Sequence, residues 1–206
     1  MKGKQLSLFP VDSEKYHLQS QKDYVPFVSE VEEFNKTFNK PNYYEPTIPS
    51  EKEWRFVYDF ILEELQEYKE ACERGDIVEI LDALCDITYV SLGNGTMLHG
   101  LKDKIWPAYQ EVQASNMSKA CETEKEAIQT VRQRSKEQGE ACHFEKVAEG
   151  RYIVYRTRDK KVMKSANYFR PNLTQFFTDE DIIRTRPAQH TAVSYTHLTL
   201  PTKRIV

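Results

Sequence analysis

Apolar residues recur every three or four positions over most of the first 110 residues, the spacing that turns one helical face toward a core. Val28, Val31, Phe34 and Phe38 predict a first helix over 24–38. Pro41, Pro46 and Pro49 then predict an extended connector over 40–49, because proline and the residue before it both disfavour helix. Ser50 with Glu53 three residues on is a capping-box pattern. The helix it opens runs to about Arg74, with Trp54, Val57, Ile61, Leu65 and Tyr68 as its apolar stripe. Gly75-Asp76 is a break too short for anything but a tight turn between antiparallel neighbours, and Asp76 opens the next helix. That helix is apolar nearly all round from Ile80 to Val90, which predicts extensive burial, and it reaches the region of Gly93–Leu98. A fourth helix is expected over 101–113, with Pro107 marking a kink or a late start.

The pattern changes after Lys119. Residues 123–139 are highly charged, with Ala127, Ile128 and Val131 as their apolar positions, and read as a solvent-facing helix. Tyr152-Ile153-Val154-Tyr155, a turn at Arg158-Asp159-Lys160 and a return at Lys161-Val162-Met163 predict a β-hairpin over 151–164. An ordered coil anchored by Tyr168, Phe169, Pro171 and Phe176 follows. The fold class expected is therefore mostly α: an antiparallel helical bundle with a small β-hairpin near the C-terminus. The organisation expected is a flexible leader over 1–22, one helical domain over 23–178 and a tail over 179–192. Residues 193–206 begin with Val-Ser-Tyr-Thr-His-Leu-Thr-Leu-Pro-Thr, which resembles the conceptual translation of sequencing-adaptor DNA; they are set aside from fold reasoning as an artefact.

Composition narrows the chemistry. A net charge of −3 does not suit a protein that binds a nucleic-acid polymer. No apolar run is long enough to cross a membrane. Cys72, Cys85, Cys121 and Cys142 lack C-x-x-C spacing and read as reduced thiols of a cytoplasmic protein, neither a zinc site nor a disulfide frame. No glycine-rich phosphate loop exists, so bound phosphate would have to be held by metal and side chains.

The chemistry-bearing pattern is a pair of acidic stripes. Glu64 and Glu67 share a face of the second helix; Glu79, Asp82 and Asp86 share a face of the third. Two such stripes facing each other repel unless a cation lies between them, and hard oxygen donors suit Mg²⁺ or Mn²⁺. The same spacing also fits a solvated acidic surface, so spacing leaves both readings open.

Glu63-Glu64-Leu65-Gln66-Glu67, followed by an acidic helix ending Asp86-Ile87-Thr88-Tyr89-Val90, resembles the all-α nucleoside triphosphate pyrophosphohydrolases, including MazG-like and phosphoribosyl-ATP pyrophosphohydrolase-like proteins. Ser115-Asn116-Met117-Ser118-Lys119 and the stretch from Lys161 to Tyr168 also resemble segments of the latter group. The resemblance covers about 28–177. It implies an enzyme that hydrolyses a nucleoside triphosphate or related nucleotide to the monophosphate and pyrophosphate with Mg²⁺. The family's E-x-x-E maps onto Glu64 and Glu67. Its E-x-x-D maps either onto Glu79 and Asp82 or, aligned on Asp86, leaves Ala83 where the glutamate belongs. The metal ligands implied are Glu64, Glu67, Asp82 and Asp86, with Glu79 as a further ligand or water-positioning base. Lys119 and Lys164 are the implied phosphate contacts, and Asn116, Asn167 and Tyr168 the implied contacts to base, sugar or phosphate. Lys119 equally suits a helix C-terminus and Lys164 a hairpin surface. The family builds sites from more than one subunit, so a homodimer or tetramer is expected. The competing reading is a non-catalytic helical module that binds nucleotide or metal, which Ala83 keeps open.

Overall fold

The computed structural model describes residues 26–185. The expected leader and the adaptor-like terminal run lie outside the described residues. The chain is predominantly helical with one small antiparallel sheet, as the sequence predicts.

Helix α1 spans Pro26–Thr37, and its proline occupies the first helical position, where no intrahelical donor is needed. The connector returns along the molecule through Tyr43 N–H to Met97 O (2.9 Å) and Thr47 N–H to His99 O (3.0 Å). Helix α2 spans Glu51–Arg74. The Glu53 carboxylate accepts the Ser50 N–H at 2.9 Å and the Ser50 hydroxyl at 2.6 Å, so the capping box forms. Gly75 closes α2 in the left-handed region (φ 69°), and its N–H reaches Cys72 O at 3.1 Å. Asp76 caps helix α3 (Ile77–Thr88) by accepting the N–H groups of Val78 and Glu79. The two helices pack as a hairpin. Ala71 is the one buried residue of α2 and Ala83 the one buried residue of α3, so small side chains let the backbones approach.

The helix does not stop after α3. Tyr89–Asn94 continues as a π-helical segment, and helix α4 (Gly95–Leu98) follows. A π turn inserts extra chain into the helical register. Here it brings Val90, Gly93, Met97 and Leu98 to the buried side, against Val28 and Val31 of α1. Gly93 is required at that contact: a β-carbon there would lie 2.2 Å from Val31 Cγ2.

Helix α5 spans Lys102–Met117 and helix α6 Glu124–Gln138. Pro107 lies inside α5, so it marks no late start, and the helix ends four residues beyond the expected boundary. Thr123 caps α6, accepting the Glu126 N–H at 3.1 Å, and Gly139 ends it at φ 64°. The expected strand is β2 (Arg151–Arg156). Its main partner is β1 (Cys142–Ala148), joined through a turn at Glu149-Gly150; the anticipated return leg is reduced to the Tyr155–Val162 bridge. Cys121, Ala127, Val154 and Met163 form a second core beneath α6 and the sheet. A 3₁₀ turn (Leu173–Phe176) leads to helix α7 (Asp179–Thr185), ordered structure within the expected tail.

Among the described residues one charged side chain is buried. Glu32 is buried on α1 and accepts from Lys102, from Lys36 (2.6 Å) and from the Tyr44 hydroxyl (3.0 Å). The Lys102 and Lys36 hydrogen bonds outweigh burial and lower its carboxyl from 4.5 to about 2. A carboxyl lowered on folding adds stability that is present above its unfolded pKa and lost as pH falls through the folded one. Glu32→Gln is therefore expected to cost about 1–3 kcal/mol at neutral pH, discounted because both lysines can rehydrate. Thermal melts between pH 6 and about 2 check it: the deficit should shrink toward the acid end, and a constant deficit would show the charge to be idle.

Candidate functional site

The hairpin α2–α3 carries the acids, and its geometry follows from the two small contact residues. With Ala71 and Ala83 facing inward, Glu64 and Asp86 are half-buried at the seam, while Glu67, Glu79 and Asp82 are exposed. Ala83 thus occupies a packing position, which accounts for the absence of a glutamate there.

Glu64 is the electrostatic centre. Burial and then the charges on Asp86, Glu67, Glu63 and Asp82, in that order, push its carboxyl above the ordinary range. Three of the other four implied acids, Glu67, Asp82 and Asp86, therefore act on Glu64, two of them from the neighbouring helix. None of Glu63, Glu64, Glu67, Glu79, Asp82 or Asp86 forms an ion pair with any described residue, whereas Glu51, Glu70 and Glu73 on the same helix pair with Arg55, Arg74 and Lys69. The cluster is an uncompensated block of hard oxygen donors, a donor set that fits Mg²⁺ chemically. The fit is incomplete in geometry: among the described residues no three His, Cys, Asp or Glu side chains stand close enough together to hold a metal ion.

The expected burial of α3 is not found among the described residues. Ile77 is 74% exposed, Val78 69%, Leu81 63% and Leu84 46%. The apolar excess of this helix therefore meets no covering element among the described residues. Asp82 and Glu79 are correspondingly solvated, so burial does not force a counter-ion on them.

The cationic candidates gather elsewhere, at the C-terminal end of α5 and the stretch 164–169. Lys119 Nζ donates to Asn116 Oδ1 at 2.8 Å. The Lys164 ammonium lies 4.3 Å from the centre of the Tyr168 ring. Burial alone would raise the Tyr168 phenol; a hydrogen bond with Ser115 and the charges on Lys164 and Lys119 outweigh it and hold the phenol below its usual value. Asn167 is exposed and is tied down through its backbone N–H to Ser165 Oγ (3.1 Å). No hydrogen bond or ion pair links this cluster to the acids among the described residues.

Sequence reasoning gave no role to the groups that build the cluster. Ser115 Oγ donates to Phe169 O (2.8 Å), Ser165 Oγ to Ser118 O (2.7 Å), and Ser118 Oγ accepts the Phe169 N–H (3.3 Å). All three serines are buried. The available signal was the serine recurring in both lysine-bearing motifs, since a buried hydroxyl needs a partner. A groove of 840 Å³ along the outer face of α6, between Glu124 and Lys136, contains none of the candidates.

Residues 31–116 match the family model described as phosphoribosyl-ATP pyrophosphohydrolase. The match takes in α2, α3 and all five acids, and ends at Asn116. No curated protein matches the chain.

Proposed function

We propose that this chain, whose residues 31–116 belong to the phosphoribosyl-ATP pyrophosphohydrolase family, hydrolyses a nucleoside triphosphate or related nucleotide to the monophosphate and pyrophosphate in a Mg²⁺-dependent reaction. A pyrophosphohydrolase-type activity in general follows from the family. The observation that carries the finer reading is the unpaired carboxylate block centred on Glu64, inside the matched segment. Mg²⁺ or Mn²⁺ bound there would reverse the local sign of charge and acidify a bound water.

Glu64, Glu67, Asp82 and Asp86 are the residues that would hold the ion. Glu79, solvated one turn before Asp82 on the same face of α3, is placed to orient a water or accept its proton. Lys119 and Lys164 would meet phosphate oxygens as charge develops on the leaving pyrophosphate. Asn116, Asn167 and Tyr168 border those lysines and would contact sugar, base or phosphate.

Acids and lysines occupy separate regions of one chain, and α3 presents an uncovered apolar stripe. Both support a homodimer or tetramer in which copies of the chain cover Ile77, Leu81 and Leu84. No helix among the described residues is long and apolar enough to cross a membrane. The reading places the protein in the cytoplasm with a nucleotide as its partner.

The test is pyrophosphate release over a panel of nucleoside triphosphates, with Mg²⁺ and with excess chelator. Release that depends on the cation is expected. Nucleotide binding without release at saturating Mg²⁺ would favour the non-catalytic nucleotide- or metal-binding module instead.

A further inference from the structure

The stretch from Lys164 to Ala166 is held by α6, a helix the functional reading does not use. Arg134 Nε donates to Lys164 O at 2.8 Å and Nη2 to Ser165 O at 3.1 Å. Its Nη1 pairs with Glu137 at 2.5 Å, and the side chain is only 18% exposed. One turn earlier the fully buried Thr130 accepts the Ala166 N–H at 2.9 Å. Three consecutive residues are thus pinned from one helix edge. Their far side is pinned by Ser118, through the Ser165 hydroxyl and the Phe169 N–H.

What this clamp presents is an exposed lysine. Lys164 makes no ion pair with a described carboxylate; its ammonium lies over the Tyr168 ring. Lys119 likewise makes no ion pair with a described carboxylate, and its ammonium donates to the neutral Asn116 amide. A lysine stem is rich in rotamers, and a wandering backbone beneath it would dilute its ammonium over many positions. A guanidinium fork suits the restraint, because its rigid plane aims two N–H groups at two successive carbonyls at once, a geometry a flexible lysine ammonium does not fix.

We propose that Arg134 is a positioning residue for a phosphate subsite: it fixes the backbone at Lys164 and Ser165 so that the Lys164 ammonium stands with Lys119 beside Tyr168 as a single anion-binding group. The inference rests on the functional reading only in naming phosphate as the anion.

Inorganic pyrophosphate, titrated calorimetrically into the full chain, tests it without requiring turnover. Arg134→Gln should weaken pyrophosphate binding about tenfold, the size of one lost charge-assisted hydrogen-bond arrangement. Lys164→Ala should weaken it similarly, and the double variant should be no weaker than Lys164→Ala within about twofold, because both act through one ammonium. A lower melting temperature for Arg134→Gln with unchanged affinity would reduce Arg134 to a structural residue and overturn the proposal. So would additive losses in the double variant, or a wild-type chain that does not bind pyrophosphate. Should Arg134→Gln fail to fold, Thr130→Val loosens the same backbone from the same helix; unchanged affinity there overturns the proposal too. Pyrophosphate binding that responds to Arg134 in a chain that hydrolyses no nucleotide would support this inference while removing the hydrolytic one.

Discussion

Asp86→Asn is expected to lower pyrophosphate release by about 10²-fold or more, because it removes a ligand of an ion that would supply several kcal/mol of charge stabilisation in the reaction. The substitution keeps the side chain's volume and removes the charge that acts most strongly on Glu64 after burial. Its effect on the metal-free fold should have the opposite sign. Glu64 is raised in the folded chain, so the folded state binds its proton more tightly than the unfolded one. Stability is then lost as pH rises through the ordinary carboxylate range toward the raised value. Removing the Asp86 charge removes part of that loss, so metal-free Asp86→Asn should melt at or slightly above wild type near neutral pH. The two should converge in acid, where Glu64 is protonated in both. Turnover equal to wild type would take Asp86 out of the site. A lower melting temperature with reduced helix content on circular dichroism would make its role structural.

Leu81→Glu is expected to break the assembly and take activity with it. Leu81 is 63% exposed at the centre of the α3 stripe, between Ile77 and Leu84. Covering each such side chain by a second copy would contribute about 1.5–3 kcal/mol, and an uncompensated carboxylate in the same place reverses that contribution. Sedimentation velocity should show wild type as a dimer or tetramer and Leu81→Glu as a monomer with unchanged helix content, since the side chain touches little within its own chain. A wild-type monomer, or a variant that remains assembled, would show that the stripe is not the interface between copies.

The helical framework was legible because its punctuation is chemical. Ser50 with Glu53, Asp76, Thr123 and Gly139 each carry a capping group or a left-handed backbone at the position where the structure uses it. Strand β1 escaped notice because Cys142–Ala148 grades from half-buried to exposed, without the strict alternation of a strand with one covered face. Burial of α3 was misread for a different reason. An all-round apolar helix implies cover without saying which chain provides it. The acids were legible as a group, since helical spacing alone puts Glu64 beside Glu67 and Asp82 beside Asp86. Their ranking was not, because it depends on where Ala71 and Ala83 set the seam. The clamp at Arg134 was illegible: carbonyl acceptors leave no trace in the side-chain pattern.

The π segment at Tyr89–Asn94 makes the bearing of the acids a matter of counting. Downstream, Gly93 locks the helix against Val31; upstream, Asp82 and Asp86 inherit whatever rotation the intervening residues impose. Deleting one residue within the π segment would leave the bearing of the acid stripe nearly unchanged, since the π turn already holds one residue more than an α turn. Inserting one uncharged residue between Asp86 and Tyr89, in plain helical winding, would swing that stripe by about 100° relative to α1. Every carboxylate would survive such an event, along with the composition and the net charge. A lineage could therefore lose the proposed site by a three-nucleotide insertion that touches no acid, and a comparison scoring only residue identity would pass it as intact. Among relatives, the number of residues separating the last acid from the packing glycine should be more constrained than the identities of the residues between them.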